Sequence, residues 1–409
     1  MLTDPAPTQR LRVAMIGTRG VPARYGGFET AVEEIGKRLV EIGHEVTVYC
    51  RTARGEPRPS HYLGMRLVHL PAIRSKTLET LCHTALSVFQ LLLGSRRFDA
   101  AIVFNAANAP FVPALRLRRV PVAVHVDGLE WKRAKWGGAG RHYYRIVEAL
   151  AVRWADALIA DAQGIADYYA AEFGATTELL TYGAPVQSDP STGRLAELEL
   201  MPRDYHLVVA RFEPENHVEE IVAGYHHSSS RLPLVVVGSA PYSDAYTARI
   251  NDLAHGDSRI RILGGIWDQE QLDQLYANAL TYLHGHSVGG TNPSLLRALG
   301  AGTAVIAYDV DFNREVLGGE GRFFTTSADV SMLTEAAEAD PADAVEEGKR
   351  LQMHADANYR WDDVTDGYAA LLTRLKDGFS QRGQFAGRRT AAPAVIEPAR
   401  TMSPEIELS

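Results

Sequence analysis

Four loops of this 409-residue chain gather residue types that handle anions and hydroxyl-rich ligands. The first is Gly17-Thr18-Arg19-Gly20-Val21-Pro22-Ala23-Arg24-Tyr25-Gly26-Gly27-Phe28-Glu29-Thr30. It follows an apolar run and opens a helical pattern. Its glycines let backbone N–H groups approach a ligand, and a helix N-terminus favours an anion. Arg19 and Arg24 add positive charge, and Glu29 either complements the helix dipole or faces a ligand. The spacing is not G-x-G-x-x-G, so a dinucleotide fingerprint is absent. The second loop runs from His125 to Trp136 and crowds Asp127, Glu130, Trp131, Lys132, Arg133 and Lys135 together. Aromatic faces beside polar groups suit a sugar. The third, Arg211-Phe212-Glu213-Pro214-Glu215-Asn216, carries a guanidinium whose fork matches a diphosphate. The fourth runs from His284 to Arg297. There Gly289, Gly290 and Thr291 offer backbone amides at a helix start, with Asn292 and Pro293 opening the helix. His284 and His286 lack a third His or a Cys nearby, so no metal site is expected.

Each feature also has a plainer explanation. His125 could be a satisfied core histidine, the Lys132–Lys135 charges a solvated loop, and Arg211 and Arg297 surface residues.

The elements around these loops repeat one scheme. Short apolar runs such as Leu11–Gly17, Ala100–Phe104 and Pro121–Val126 alternate with helical patterns such as Phe28–Ile42 and Arg141–Trp154. After a polar stretch at Gln187–Gly193 the scheme restarts with His206–Ala210, Leu234–Gly238, Ile260–Gly264, Ala279–Leu283 and Ala304–Tyr308. Ala328–Lys376 reads as mainly helical. Continuous apolar strands between helices mean parallel sheets covered on both faces. The expected fold is therefore α/β, with two doubly wound Rossmann-like domains facing across a cleft. The expected boundaries are 1–185, 186–376 and a disordered tail over 377–409, with the last helix packing back on the first domain. Ligands in such sheets sit beyond the carboxyl ends of the strands, where all four loops lie.

Composition narrows the class. Apolar residues make up 46% and charged residues 22%, an ordinary globular balance. The net charge of −8 hides a split. Residues 1–185 hold 23 Lys and Arg against 17 Asp and Glu, and the remainder 19 against 33. The basic half is expected to face phosphates or an anionic membrane surface. The chain is not basic enough overall for nucleic acid. Cys50 and Cys82, the two cysteines, read as buried thiols rather than a disulfide framework. The opening residues show no secretory pattern and no run reaches about 18 apolar residues, so a cytoplasmic protein is expected, at the inner face of the plasma membrane.

The four loops, in this order, resemble family 4 of the glycosyltransferases, which have the GT-B fold. The resemblance spans roughly residues 11–376 and is closest to the bacterial rhamnosyltransferase subgroup. It implies a nucleotide-diphosphate sugar held mainly by the second domain, with no further cofactor. It implies an acceptor on the first domain, a cell-envelope or lipid-linked glycan precursor. By resemblance, His125, Asp127 and Arg211 are catalytic. Gly26, Gly27, Arg211, Asn216, Gly289, Gly290, Thr291, Asn292 and Arg297 hold the donor. Arg24, Glu29, Glu130, Trp131 and Lys132 face the acceptor. Three positions depart from the family pattern. Asn216 stands where a lysine is usual, and Gly289 and Arg297 stand where two glutamates are usual. The second glutamate normally grips ribose hydroxyls, so its loss fits a deoxyribose donor such as dTDP-rhamnose. Retention at the anomeric carbon is implied, without the carboxylate pair of a glycosidase. The other readings are a soluble small-molecule acceptor, a nucleotide-sugar epimerase and a non-catalytic nucleotide-sugar-binding protein.

Overall fold

A computed structural model describes residues 9–23, 26–52, 57–73, 78–126, 129–133, 136–187, 191–239 and 244–383. The first half contains β1 (Arg12–Ile16), α1 (Gly27–Glu41), β2 (Glu45–Arg51), β3 (His61–Tyr62), β4 (Met65–Leu70) and α2 (Glu79–Leu93). It continues with β5 (Ala100–Phe104), α3 (Val112–Leu115), β6 (Val122–Val126), α4 (Gly138–Trp154), β7 (Ala157–Ala160), α5 (Gln163–Phe173) and β8 (Glu178–Leu179). The second half contains β9 (His206–Val209), α6 (Val218–His227), β10 (Leu234–Val237), α7 (Asp244–Ala254), β11 (Ile260–Gly264), α8 (Gln269–Asn278), β12 (Thr281–His284) and α9 (Pro293–Gly300). Then follow β13 (Ala304–Tyr308), α10 (Asp311–Leu317), β14 (Arg322–Phe324), α11 (Ser327–Ala339), α12 (Pro341–Asn358) and α13 (Trp361–Lys376).

The strands form two sheets. The first has the order β3-β4-β2-β1-β5-β6-β7-β8, the second β11-β10-β9-β12-β13-β14. Every ladder is parallel except the short β3–β4 hairpin. Parallel strands buried on both faces need unbroken apolar sequence. Ala100–Phe104, Val122–Val126 and Leu234–Val237 supply it and are wholly buried. Strand order reverses between β1 and β5 and again between β9 and β12. The loops after β1, β9 and β12 are therefore the switch-point loops where such sheets bind ligands.

Helix ends are set by side chains. Asn292 caps α9 by accepting from the Ser294 amide at 2.9 Å, with Pro293 at the first position. Thr326 and Asp329 form a capping box at the start of α11. Asp340 caps α12 and Pro341 opens it, which separates it from α11. The expected helical stretch of 328–376 is thus three helices.

The last helix crosses to the first sheet's side of the molecule. Arg38 of α1 pairs with Asp362 of α13 at 3.0 Å, and Gly183 lies so close to Trp361 that a methyl group there would overlap the indole. Beyond α13, Ser380 and Arg382 both reach the Asp156 carboxylate, at 2.8 Å and 2.5 Å. Gln381 and Arg382, within the expected tail, are therefore tied to the first domain. The rest of the expected tail, 384–409, lies outside the described residues. One cysteine reading also changes: Cys50 is buried but Cys82 is partly exposed. No described helix is long and apolar enough to cross a membrane.

Candidate active site in the interdomain cleft

A cleft of about 1070 Å³ lies between the sheets, with the loops after β1, β6, β9 and β12 in its walls. The volume suits a ligand larger than a monosaccharide. Two helix N-termini meet at its floor. A methyl group on Gly27, at the start of α1, would touch Pro293 Cγ of α9 at 3.3 Å. Both ends carry unpaired amides and partial positive charge toward the same space.

On the first-domain wall, Gly26 has φ +107°, which glycine tolerates without strain. Glu29 accepts from the Arg19 amide at 2.9 Å, and burial raises its carboxyl pKa. It therefore ties the β1 loop to its own helix, and it also lines the cleft. Arg19 and Arg51 both reach Glu79, at 3.3 Å and 3.1 Å, near the mouth.

His125, at the end of β6, is fully buried. Its ring lies against Phe104, Phe28 and Tyr182 at 5.5, 5.1 and 6.1 Å between centroids. Phe28 and Tyr182 line the cleft, whereas His125 stands behind them. Neither ring nitrogen has a hydrogen-bond partner among the described residues. Burial depresses its pKa to about 3, so the ring is neutral.

The loop after β6 turns inward. Glu130 is buried, ion-paired with Arg133 at 2.5 Å and accepting from the Trp136 indole at 3.2 Å. All three line the cleft. Trp131 and Lys132, expected at the acceptor, do not line it. Trp131 joins a small cluster with Tyr144 and Val147, and Lys132 and Arg145 stack over its ring at 5.6 Å and 5.5 Å. The physical reason is the inward turn of Glu130, which sends the next two side chains to the far side. Asp127 and Arg24 lie outside the described residues.

On the second-domain wall, Arg211 follows β9 and lines the cleft. Asn216, also in the wall, spends its amide on the protein. It donates to the Arg211 carbonyl at 2.8 Å and accepts from His286 Nδ1 at 2.6 Å. It thus fastens the β9 loop to the β12 loop. That bond makes Nδ1 the protonated nitrogen of His286. Burial and the nearby Arg133, His284 and Arg211 hold the ring neutral. His284 is likewise neutral, its pKa depressed to about 3 by burial.

Gly289, Gly290, Thr291 and Asn292 form the cleft edge next to α9. Gly289 has φ +136°, and a methyl group there would come within 3.9 Å of Arg133 Nη2. A first-domain cation therefore stands beside the second-domain glycine loop. Arg297, one turn into α9, is paired with Asp273 at 2.7 Å and Gln269 at 2.7 Å, and all three line the cleft.

Cleft residues that were not expected as site residues from sequence include Asp161, Arg133, Asp273 and Trp267. Asp161 ends β7, so its strand-end position was the available signal. It is buried, and burial raises its pKa to about 7 despite the Tyr182 hydroxyl and Thr291 amide beside it. Trp267 is an exposed aromatic whose ring lies over Gly265. Among the described residues no three His, Cys, Asp or Glu side chains cluster to hold a metal ion.

Residues 10–185 match a family described as a domain of unknown function (DUF1972). Residues 197–349 match the family described as glycosyl transferases group 1. No curated protein matches the chain. Among solved structures, sucrose-phosphate synthase from Thermosynechococcus elongatus is similar with a TM-score of 0.76 and 22% identity, over 90% of this chain and 99% of that one. HepE from Anabaena, in complex with UDP-glucose, matches with a TM-score of 0.70 and 15% identity, over 89% and 100%. The Escherichia coli trehalose-6-phosphate protein bound with UDP-2-fluoro glucose matches with a TM-score of 0.65 and 12% identity, over 89% and 99%. The chain has the GT-B fold, and its second half carries a glycosyl transferases group 1 domain.

Proposed function

We propose that this chain is a retaining glycosyltransferase of family 4, related to bacterial rhamnosyltransferases. It moves a sugar from a nucleotide-diphosphate donor to a cell-envelope or lipid-linked glycan acceptor. The best donor reading is dTDP-rhamnose. The observation that carries the transferase reading is the cleft floor, where two helix N-termini, the Gly289–Asn292 amides and Arg211 face one space. Such a set suits a diphosphate leaving group, whose charge grows as the glycosidic bond breaks. Arg133 adds a cation from the opposite wall. Metal ions are not required by this reading, because these donors supply the charge stabilisation.

The ribose end of the donor falls beside Trp267, Asp273 and Arg297. Arg297 replaces the family carboxylate, yet it holds Asp273 in the cleft. The dTDP reading takes Arg297 as closing the space that a 2′-hydroxyl would fill. A UDP reading takes Asp273 as the substitute carboxylate.

The test is a thermal-shift panel of dTDP-rhamnose, UDP-glucose, UDP-N-acetylglucosamine and GDP-mannose. A ligand that binds only the folded state raises its stability by mass action. A rise with dTDP-rhamnose above that with UDP-sugars supports the reading. No shift with any nucleotide sugar sinks it. Release of nucleoside diphosphate in the presence of a lipid-linked acceptor, with the product's anomeric configuration read by NMR, then tests transfer and retention. Conversion of the donor alone would instead favour an epimerase.

A further inference from the structure

Helix α2 carries apolar residues on its outward face as well as its inward one. Its buried face holds His83, Thr84, Ser87, Val88 and Leu91. Its outward face carries Leu78 at the N-cap, then Cys82, Ala85, Leu86, Phe89 and Leu93. Leu78, Phe89 and Leu93 are 51%, 59% and 71% exposed. A helix facing solvent places its polar residues outward. Here the inward face mixes polar and apolar residues, and the outward stripe is apolar and has no charge.

The basic surface continues at the helix C-terminus. Arg118 donates to the carbonyls of Leu92 and Gly94 at 3.0 Å and 2.7 Å, which places the 116–119 turn beside Leu93. That turn presents Leu117, 78% exposed, beside the exposed Arg118 and Arg119, while the Arg116 guanidinium is turned into the protein near Asp156 and Arg382. Arg97 is exposed just after the helix. No Asp or Glu occurs in 80–98 or 100–126, and the flanking Glu79 and Asp99 are ion-paired with Arg19 and Arg51 and with Arg12. An apolar stripe with exposed arginines and its flanking acids neutralised matches the boundary of an anionic bilayer, where apolar side chains enter and cations meet headgroups.

We propose that the outward face of α2, with Leu117 and the arginines around it, docks the protein on an anionic lipid surface. The opposite end of the helix opens on the cleft, where Leu78, Glu79, Thr80 and Leu81 line the mouth. A helix of 15 residues is about 22 Å long, so the docked face leads from the bilayer to the cleft. The occupant is lipid, which deepens the proposed lipid-linked acceptor but does not depend on it.

The experiment is flotation of the full chain with vesicles of phosphatidylcholine alone or phosphatidylcholine with about 30% phosphatidylglycerol. Wild type is expected to float with the anionic vesicles only, and less so at high salt. The double variant Phe89→Glu/Leu93→Glu is expected to lose at least tenfold in partition. Leu93→Trp is expected to gain. Both side chains are exposed, so folding is checked by an unchanged melting temperature. Donor thermal shifts measured on the same samples report the cleft separately, so a failed donor reading leaves this test intact. Wild type remaining unbound, or the double variant floating equally, overturns the proposal. A concentration-dependent dimer that Leu93→Glu abolishes, without vesicle binding, assigns the stripe to a second copy and overturns it as well.

Discussion

The Thr291 hydroxyl of the second domain donates to the Asp161 main-chain carbonyl of the first at 2.5 Å. The glycine loop is thereby fixed to the opposite wall. The Asp161 side chain sits at the same junction, facing Tyr182 and the Thr291 amide, with Glu315 and Tyr368 acting on it electrostatically. Burial raises its folded pKa from 3.8 to about 7. The folded state therefore holds a proton that the unfolded state releases, and stability falls as pH rises between about 4 and 7. Asp161→Asn removes that dependence. Relative to wild type it is expected to gain stability as pH rises from 5 and to level off above about pH 7, by up to ~3 kcal/mol. Melting curves across that range check it. Parallel curves for the two proteins would show that the carboxylate does not titrate there.

A methyl group at Gly290 would overlap Asp161 Oδ1 and lie 2.6 Å from Ile165 Cδ1. Gly290→Ala is therefore expected to push the loop off the first domain. The donor KM should rise at least tenfold with only a small change in melting temperature. Gly137→Ala, where a methyl group meets nothing within 4 Å, is the control and should leave both unchanged. Equal KM values for the two variants would mean that the loop tolerates displacement.

Arg297 and Asp273 form the charged pair at the ribose end, at 2.7 Å. The side chains are 22% and 37% exposed, so the pair alone is worth about 1 kcal/mol or less. Arg297→Glu sets two carboxylates against each other and is expected to weaken nucleotide-sugar binding more than tenfold. The swap Arg297→Glu/Asp273→Arg should recover most of that loss if the pairing, rather than the position of each charge, is what matters. Asp273→Ala separates the two donor readings. It should spare dTDP-sugars under the deoxyribose reading and weaken UDP-sugars if Asp273 grips the 2′-hydroxyl. Isothermal titration with both donors measures each case.

The elements that sequence reveals best are the fully buried strands. Ala100–Phe104, Val122–Val126 and Leu234–Val237 appear where the apolar runs place them, because both faces are covered. The short or polar pieces escape that signal. β3 has two residues, β14 three, and α10 (DFNREVL) has little apolar content. The site divides in the same way. Glycine loops at switch points are legible because local backbone chemistry defines them. Arg133 beside Gly289, Asp161 against Gly290 and Asp273 on Arg297 are not, since each pairing joins residues distant in the chain. Periodicity likewise shows α2 as a helix, but cannot say that His83 faces in and Phe89 faces out.

His125 keeps two unpartnered ring nitrogens in an aromatic enclosure. A buried polar group without a partner costs stability and calls for a reason, and a sugar hydroxyl reaching it past Phe28 and Tyr182 would supply one. His125→Phe removes the penalty and fits an aromatic site. Its depressed pKa, about 3 folded against 6.5, means that the unfolded state binds the proton first. Wild-type stability is therefore full above pH 6.5 and falls as pH drops toward 3. At pH 5 the variant should be more stable than wild type by roughly 2 kcal/mol beyond any difference at pH 7.5. Turnover should move the other way, with kcat falling at least a hundredfold while donor binding changes little. A stable variant that keeps its kcat would make His125 a packing residue and remove it from the reaction.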